Sequence, residues 1–180
     1  YQALIDRAPR DAPYLLNLAR DVELDATLVI PSGLTVVIRG SHARNKTVLS
    51  GQRPPPIASG DLPNVRHFDV QGGASLHLSN LILADGRLFA GEPEDCGGSV
   101  VVRRGGHLTA QYTTFKRNEA QKGGAICFES DGSLELLAVS MIENEAIEAH
   151  DIYLGRPSRP PASVDLLGVT LSSAEEEGAL

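Results

Sequence analysis

A repeat of 26 residues is the feature that most constrains this sequence. The stretch beginning Gly97-Gly98-Ser99-Val100 and the stretch beginning Gly123-Gly124-Ala125-Ile126 carry the same order of glycines, apolar residues and asparagines. A fixed period of about 20–50 residues indicates like structural units stacked in a row. The sequence therefore predicts a solenoid, in which each unit buries its apolar side against its neighbours.

The register of the repeat extends in both directions when insertions are allowed at turns. A shift of 32 residues places Phe68 on Val100, and a shift of 26 places Ile152 on Ile126. Runs of three to five residues alternate in polarity and end at Gly, Asn, Asp or Pro, which is typical of strands and turns. The aligned units give four apolar columns: Phe68, Val100, Ile126, Ile152; Val70, Val102, Phe128, Leu154; Leu76, Leu108, Leu134, Val164; and Leu83, Phe115, Met141, Leu171.

These columns predict an all-β chain with one domain over residues 1–180. Residues 14–172 are expected to form a short parallel β-helix of about five to six coils. Residues 1–13 begin with helical spacing, and we expect them to cap the N-terminal end, because an open end exposes unpaired backbone groups. Residues 173–180 are acidic and are expected to form a solvated tail. The C-terminal cap is then either missing from this chain or supplied by a partner.

Two short motifs in the repeat suggest a family. They are Gly123-Gly124-Ala125-Ile126 with its variant Gly97-Gly98-Ser99-Val100, and Phe115-Lys116-Arg117-Asn118 with its variant Met141-Ile142-Glu143-Asn144. In these motifs the sequence resembles the repeats of the chlamydial-type polymorphic outer membrane proteins, within the pectate-lyase-like group of right-handed parallel β-helices. The resemblance covers about residues 66–172. It implies a right-handed coil and a role in adhesion or surface display, and it brings no catalytic residues.

The motif residues themselves are predicted to be structural. No helix start and no Gly-Lys-Ser/Thr follows the glycine pairs, so we interpret them as turn glycines rather than a phosphate-binding loop: Gly97, Gly98, Gly123 and Gly124. Asn118 and Asn144 fall on the same turn of successive coils. Their side-chain amides are expected to hydrogen-bond along the stack and to satisfy backbone groups there.

The two cysteines are predicted to be free thiols. Cys96 aligns with Lys122 of the next coil, five residues before Cys127. Five extended residues span up to about 16 Å, whereas a disulfide requires Cα atoms within about 7 Å. A bridge would form only if the inserted loop before Cys96 folded back.

Charge and hydropathy exclude several functions. The net charge of −7, without a cluster of Arg and Lys, opposes nucleic-acid binding. No apolar run approaches 18 residues, so no transmembrane segment is expected. The first residue is Tyr1 rather than Met, which suggests a processed product. The sequence leaves the location open between the cell surface or exterior and an organelle lumen after leader removal.

Enzymatic activity would require clustered carboxylates with a nearby Arg or Lys, because many β-helices act on acidic polysaccharides. The best candidates are Asp69, Arg103 and Glu129, with Tyr153 nearby on the same outward face. Adjacent opposite charges on an exposed sheet are usually ordinary surface ion pairs. We therefore favour a structural role for them.

Metal binding is not predicted either. Five histidines occur, and His77 and His107 lie in neighbouring coils, but we place them on columns one residue apart, so that their side chains point to different faces. No cofactor motif is present. We expect neither a cofactor nor a metal site.

An apolar stripe remains as the candidate docking face. Val101, Cys127 and Tyr153 occupy one outward column, with Tyr112 near one end. An exposed apolar stripe on a rigid sheet is a candidate surface for binding another protein. The alternative is that the inserted loop at 87–96 or the one at 155–163 covers it.

The sequence thus favours a non-catalytic interaction or structural module, as a surface adhesin-like fragment or as an accessory scaffold subunit of a larger protein assembly. Two alternatives stay open. One is a polysaccharide lyase, epimerase or hydrolase, and the other is a carbohydrate binder without turnover.

Overall fold

The computed structural model of the chain describes residues 1–41, 46–51, 64–88, 95–155, 161 and 163–172. These residues form one short helix, α1 (Gln2–Asp6), and twenty strands in four sheets. Every pair of neighbouring strands is parallel. Parallel sheets connected along one chain are the arrangement that a stack of coils requires.

The strands are distributed over the sheets as follows. Sheet A contains β1 (Tyr14–Asn17), β4 (Thr35–Arg39), β7 (Ser75–Ser79), β11 (His107–Gln111), β15 (Ser133–Leu137) and β19 (Ser163–Leu167). Sheet B contains β2 (Val22–Leu24), β5 (Thr47–Gly51), β8 (Leu81–Ala84), β12 (Thr114–Lys116), β16 (Ser140–Ile142) and β20 (Thr170–Ser172). Sheet C contains β3 (Leu28–Ile30), β6 (Phe68–Val70), β10 (Val100–Val102), β14 (Ile126–Phe128) and β18 (Ile152–Leu154). Sheet D contains β9 (Arg87–Leu88), β13 (Glu119–Lys122) and β17 (Glu145–Glu148).

The chain passes through sheets C, A, B and D in turn and then returns to sheet C one strand farther along. We number the turns coil 1 (β3–β5), coil 2 (β6–β9), coil 3 (β10–β13) and coil 4 (β14–β17). Strands β1 and β2 precede them as a partial coil, and β18–β20 follow as the partial coil 5. The chain is therefore an all-β parallel β-solenoid, as predicted. It has about four turns rather than five to six coils, because both end coils are incomplete among the described residues.

The apolar columns form the core in the predicted register. Val100 pairs with Phe68 on one side and Ile126 on the other, and Ile126 pairs with Ile152. The other three columns pair in the same way. In coils 2 to 4 these side chains are all buried. Side chains of one column therefore lie directly above each other, and the coils stack without slipping.

Sharp corners between the sheets repeat at fixed positions. At the corner from sheet A to sheet B, the left-handed backbone conformation occurs at Asn80, Tyr112 and Ala138, with φ of 55°, 51° and 50°. Left-handed φ is unfavourable for residues other than glycine and, to a lesser degree, asparagine. Stacking of successive coils therefore imposes this conformation in coils 2 to 4, where the corner residue is not glycine, whereas coil 5 has Gly168 with φ of 65° at the equivalent corner.

The N-terminal end of the solenoid is covered by α1. Ile5 of this helix is buried in the core. The side-chain amide of Gln2 accepts a hydrogen bond from the Val29 backbone N–H (2.8 Å) and donates one to the Val29 carbonyl (3.0 Å). The Gln2 amide thus replaces a neighbouring strand at the edge of β3. The predicted helical cap is confirmed.

The two ends of the chain differ in what the structure describes. The predicted acidic tail at 173–180 lies outside the described residues.

The one helix among the described residues, α1, has five residues and is too short to cross a bilayer.

Candidate functional site

The predicted docking stripe is not an exposed surface. Val101 and Cys127 are only 1% and 0% exposed, and Tyr153 is half-buried. Together with Cys96 they form a small apolar cluster outside the main core. Tyr112 is exposed at the corner between sheets A and B, whereas the stripe lies on sheet C. These residues therefore do not form an exposed docking face, because the segment at Cys96 packs over them.

Cys96 and Cys127 form a disulfide, and the prediction of two free thiols is wrong. Their Cα atoms are 5.4 Å apart. Cys96 lies beside Lys122, as the alignment predicted. The predicted separation of about 16 Å assumed that the five residues from Lys122 to Cys127 are fully extended. The chain instead reverses at the glycine corner, where Gly97 has φ of 75° and Gly123 has φ of 55°.

The glycine pairs have the predicted structural role at this corner. Gly97 and Gly123 have positive φ, which glycine adopts without strain. At Gly98 and Gly124 the requirement is space, because a Cβ on Gly98 would overlap the Gly124 carbonyl and the Glu119 backbone. No phosphate-binding geometry is needed to explain these glycines.

The asparagine ladder is present as predicted. The Asn118 Nδ2 donates to Asn144 Oδ1 (2.9 Å), and the same oxygen accepts the Asn118 backbone N–H (3.0 Å). Asn118 Oδ1 accepts the backbone N–H of Gly86 in coil 2 (2.9 Å). Asn144 Nδ2 donates to Asp151 at the start of coil 5 (2.9 Å). The ladder therefore joins four coils at the corner from sheet B to sheet D.

The enzyme candidates do lie together on the outward face of sheet C. Arg103 donates from Nε and Nη2 to the two carboxylate oxygens of Asp69 (3.2 and 3.0 Å), and its Nη1 lies 3.9 Å from Glu129. The hydrogen bond to Asp69 raises the pKa of Arg103. Both carboxylates are thus engaged by one guanidinium in a ladder across three coils, which favours the ordinary surface ion-pair interpretation.

Two charged residues buried near this ladder were not singled out from the sequence. Arg66 and Asp95 are both buried. Burial lowers the pKa of Arg66 to about 10, while the carboxylates of Asp69, Asp95 and Glu129 oppose that shift and Arg103 adds to it. Arg66 aligns with Gly98 and Asp95 with Gln121, so no charge recurs at either position and periodicity gives no signal for them.

A possible metal-ligand group coincides with the disulfide. Among the described residues, the group whose ligand atoms lie within 4.8 Å of one another consists of Cys96, Cys127 and Glu129. The two sulfur atoms are bonded to each other in this structure. They are therefore not thiolates that would bind a metal ion.

The histidines of sheet A are arranged differently from the prediction. His77 pairs with Thr109, and His107 pairs with Ser75, so the two histidines are offset by two residues and share the outward face. The prediction of different faces is therefore wrong. His107 Nδ1 accepts the Ser133 N–H (3.0 Å), which places the proton of the neutral ring on Nε2. This tautomer is unsuited to binding a metal through Nε2.

A shallow groove crosses this outward face of sheet A. Within the described part of the chain, its polar side chains make no side-chain hydrogen bond. Burial lowers the pKa of His77, with Glu135 opposing and His107 adding to the shift, so the ring is neutral at pH 7. The groove is lined by Pro13, Thr35, Val37, Arg39, His77, Leu78, Ser79, Thr109 and Gln111.

A third histidine, His67, lies wholly inside the solenoid. Its Nε2 donates to the Ala84 carbonyl (3.1 Å), and therefore its Nδ1 accepts from the Ser99 hydroxyl (2.9 Å). Burial lowers its pKa from 6.5 to about 4. The ring is a structural bridge between coils 2 and 3 that remains neutral in the folded chain.

The pKa of His67 predicts a loss of stability in acid. Below pH 6.5 the unfolded chain takes up a proton that the folded chain binds only near pH 4. The contribution is therefore complete above pH 6.5 and decreases by about 3 kcal/mol as the pH falls to 4. Because carboxylates also titrate there, the measured quantity is the difference in unfolding free energy between the wild type and His67→Gln at each pH. This difference should decrease by that amount between pH 6.5 and pH 4. A difference that stays constant over this range would contradict the prediction.

Several exposed apolar side chains lie together at the C-terminal end of the described chain. Leu154, Leu166 and Leu171 of coil 5 are 49%, 52% and 63% exposed, although they occupy inward columns. Their partners in coil 4 are at most 2% exposed. These leucines, with Leu134, Ile152 and Val164, line an apolar hollow beside Ala149–Asp151. We call this surface the open end. The sequence analysis placed Leu154 and Leu171 last in two apolar columns, but it did not include Leu166 in a column and did not mark these residues as a site.

No protein-family model, no curated protein and no solved structure with which the chain was compared matches it. The resemblance to the polymorphic outer membrane protein repeats therefore depends on the motif residues alone.

Proposed function

We propose that the chain is a non-catalytic interaction module that joins a larger protein assembly through its open end. The observation that carries this proposal is the exposure of Leu154, Leu166 and Leu171, which are core residues by position and surface residues by exposure. Exposed core positions beside unpaired strands favour association with another polypeptide. Strand addition to such an edge is a known mode of recognition.

The setting of the assembly is part of the proposal. The Cys96–Cys127 disulfide favours an oxidising compartment, such as the cell exterior or an organelle lumen. We also propose that the coils are pectate-lyase-like repeats of the polymorphic outer membrane protein type, with an adhesin-like or accessory-subunit role. The support for this is that the motif glycines and asparagines occupy equivalent corners in coils 3 and 4.

The test compares substitutions at the two ends of the solenoid. Leu166→Arg places a charge at the open end, and Leu4→Arg places one on the capping helix, where the leucine is similarly exposed at 48%. We expect native purification to give a complex larger than 19.1 kDa for the wild type and for Leu4→Arg. An unpaired charge at a central contact should weaken the complex at least about tenfold.

Light scattering and mass spectrometry of the purified material give the size and composition. Leu166→Arg should elute as the monomer with an unchanged melting temperature. A wild type that elutes alone, or a Leu166→Arg variant that keeps its stoichiometric partner, would contradict the proposal.

A second candidate function is carbohydrate binding without turnover. The observation that favours it is the groove on sheet A, in which Arg39, His77, Thr109 and Gln111 present polar groups beside the apolar Val37. Sugars offer hydroxyls to such groups and apolar ring faces to such floors. If the chain purifies alone, the deciding assay is a screen of neutral and acidic polysaccharides with and without calcium.

A further inference from the structure

The carboxylate of Glu129 lies beside both sulfur atoms of the Cys96–Cys127 bridge. A carboxylate oxygen of Glu129 and the two Sγ atoms are all within 4.8 Å of one another. Cys127 lies in β14 and Glu129 follows it by two residues, so both side chains project from the outward face of sheet C. Cys96 reaches the same place from the segment before β10, beside Lys122. Three potential metal ligands are therefore brought together from two segments of the chain.

The three ligands differ in their access to solvent. Cys127 and Cys96 are 0% and 3% exposed, whereas the side chain of Glu129 is 41% exposed. Val101 and Tyr153 pack against the two cysteines. The sulfur atoms thus lie on an apolar, closed side, and the carboxylate lies on the side that solvent reaches. A site with three protein ligands leaves one position of a tetrahedral ion to water.

Glu129 can turn toward an ion because its ion pair with Arg103 is long. The Arg103 Nη1 lies 3.9 Å from the Glu129 carboxylate, which is beyond hydrogen-bond distance. The same guanidinium donates two hydrogen bonds to Asp69, at 3.2 and 3.0 Å. Arg103 therefore keeps its main partner if Glu129 moves. Exchange of such a surface contact for a metal ligand costs little.

Positive side chains lie close to the three ligands. Arg66 is 6% exposed and interacts electrostatically with Glu129. The Lys122 Nζ lies 5.5 Å from the centroid of the Tyr153 ring, which packs against the cysteines. Two thiolates and one carboxylate exceed the charge of a divalent ion by one negative charge, and a buried unbalanced charge is costly. The neighbouring cations reduce that cost.

We propose that the reduced chain binds one zinc ion through Cys96, Cys127 and Glu129, at the place of the disulfide. A dithiol supplies two electrons and two protons, the Sγ–Sγ bond breaks, two thiols form, and the dithiol becomes a disulfide. When zinc binds, the two thiols release their protons to water, and the thiolates and the carboxylate become ligands. Thiolate ligands select zinc over magnesium and calcium, which prefer oxygen.

The same backbone accommodates both states of the cysteines. Their Cα atoms are 5.4 Å apart. Two thiolates on a tetrahedral zinc ion are about 3.8 Å apart, given Zn–S distances of about 2.3 Å. Rotation about the Cα–Cβ bonds moves the two sulfur atoms apart. Metal binding therefore requires new rotamers and no new path of the chain.

The zinc ion connects the same two segments that the disulfide connects. A reducing compartment does not maintain disulfides, and there the ion holds Cys96 against β14 and keeps Val101 covered. Oxidation joins the sulfur atoms, removes two of the three ligands and releases the ion. The site therefore binds metal in one redox state only. It does not depend on the open end or on the proposed function.

Cobalt(II) is the probe for this site, because tetrahedral Co²⁺ bound to thiolates absorbs visible and near-ultraviolet light. The full chain is reduced with a phosphine, separated from the reductant without oxygen, and titrated with cobalt chloride and then with zinc chloride. We expect the reduced chain to bind one Co²⁺ with thiolate-to-cobalt charge-transfer absorption. Zn²⁺ should displace it, since a tetrahedral site with thiolates favours zinc. The disulfide form should give no such absorption.

Glu129→Gln removes the third ligand and leaves both cysteines in place. This variant should bind Co²⁺ at least about tenfold more weakly, since loss of even an outer partner of a metal ligand has that effect. The matched control is Glu135→Gln, because Glu135 is an exposed glutamate of the same coil on sheet A. Its Co²⁺ affinity should equal that of the wild type. Zn²⁺ should also raise the urea midpoint of the reduced wild type, and it should raise that of Glu129→Gln less.

Three results would overturn the proposal: no charge-transfer absorption in the reduced chain, equal Co²⁺ affinity of the wild type and Glu129→Gln, or the same absorption in the disulfide form. Absorption that is lost in the Cys96→Ser/Cys127→Ser variant and kept in Glu135→Gln would support it. The comparison of Leu166→Arg with Leu4→Arg is made on the disulfide form without added metal. Failure of either proposal therefore leaves the other standing.

Discussion

Replacing both Cys96 and Cys127 with serine is expected to lower the free energy of unfolding by about 3–4 kcal/mol. The bridge closes a loop with a sequence separation of 31 residues. Closure of a loop of this size restricts the unfolded chain by about that amount in the loop-entropy description. It also attaches the segment after the inserted loop to β14, which keeps Val101 buried. Loss of the bridge should therefore destabilise the fold and expose this cluster.

The measurement is urea unfolding monitored by circular dichroism, with and without a dithiol reductant. The reductant should destabilise the wild type to the level of the double-serine variant and should leave that variant unchanged. Free-thiol titration of the unfolded, unreduced protein should give no reactive thiol. Two reactive thiols, or equal unfolding midpoints for the wild type and the variant, would show that the bridge does not form.

Asn118→Ala is expected to cost a similar amount, about 3–4 kcal/mol. The side chain is buried, donates to the Leu83 carbonyl (3.1 Å) and to Asn144, and accepts the Gly86 N–H. Alanine would leave the Gly86 N–H and the Leu83 carbonyl buried without these partners. Each unsatisfied buried group costs about 1–3 kcal/mol.

The matched control for this variant is Asn17→Ala, because Asn17 is exposed at the end of β1. Its unfolding free energy should change by less than about 0.5 kcal/mol. Both variants are compared by the same urea titration. If they had equal stability, the asparagine ladder would not be a stabilising element of the fold.

The core was predictable because its signal is repeated in every coil. Side chains alternate between the two faces of a strand, so an apolar residue that recurs at the same place in each unit identifies an inward column. Phe115 and Met141 differ in shape and chemistry, yet they pair as the alignment placed them. The asparagine ladder was predictable for the same reason, since Asn118 and Asn144 share one column.

Features that depend on how the corners bend were not predictable. Cys96 reaches Cys127 because the chain reverses at Gly97, a path that counting residues along a straight strand does not describe. The same reversal buries Val101, which alternation alone places on the outside. His77 and His107 were misplaced by one position in the register, and a single position moves a strand residue to the opposite face.

The open end was predictable in outline only. Leu154 and Leu171 are the last residues of two predicted columns, and Leu166 pairs with Leu136 of the preceding coil. The repeat does not show whether the residues of an end coil are covered, because the covering groups lie outside the repeat. At the other end, for example, Gln2 closes the edge of β3 with one side-chain amide.

The Gln2 amide makes the N-terminal edge of the solenoid different from its C-terminal edge. A rod with two receptive ends adds identical members without limit and forms fibres, as head-to-tail contacts do when they fail to close. Here the edge of β3 is covered by the side-chain amide of Gln2, which forms the two hydrogen bonds that a neighbouring strand would form with Val29. The edge of β3 is thereby closed to an added strand, so an identical copy could not pair there in register without displacing Gln2.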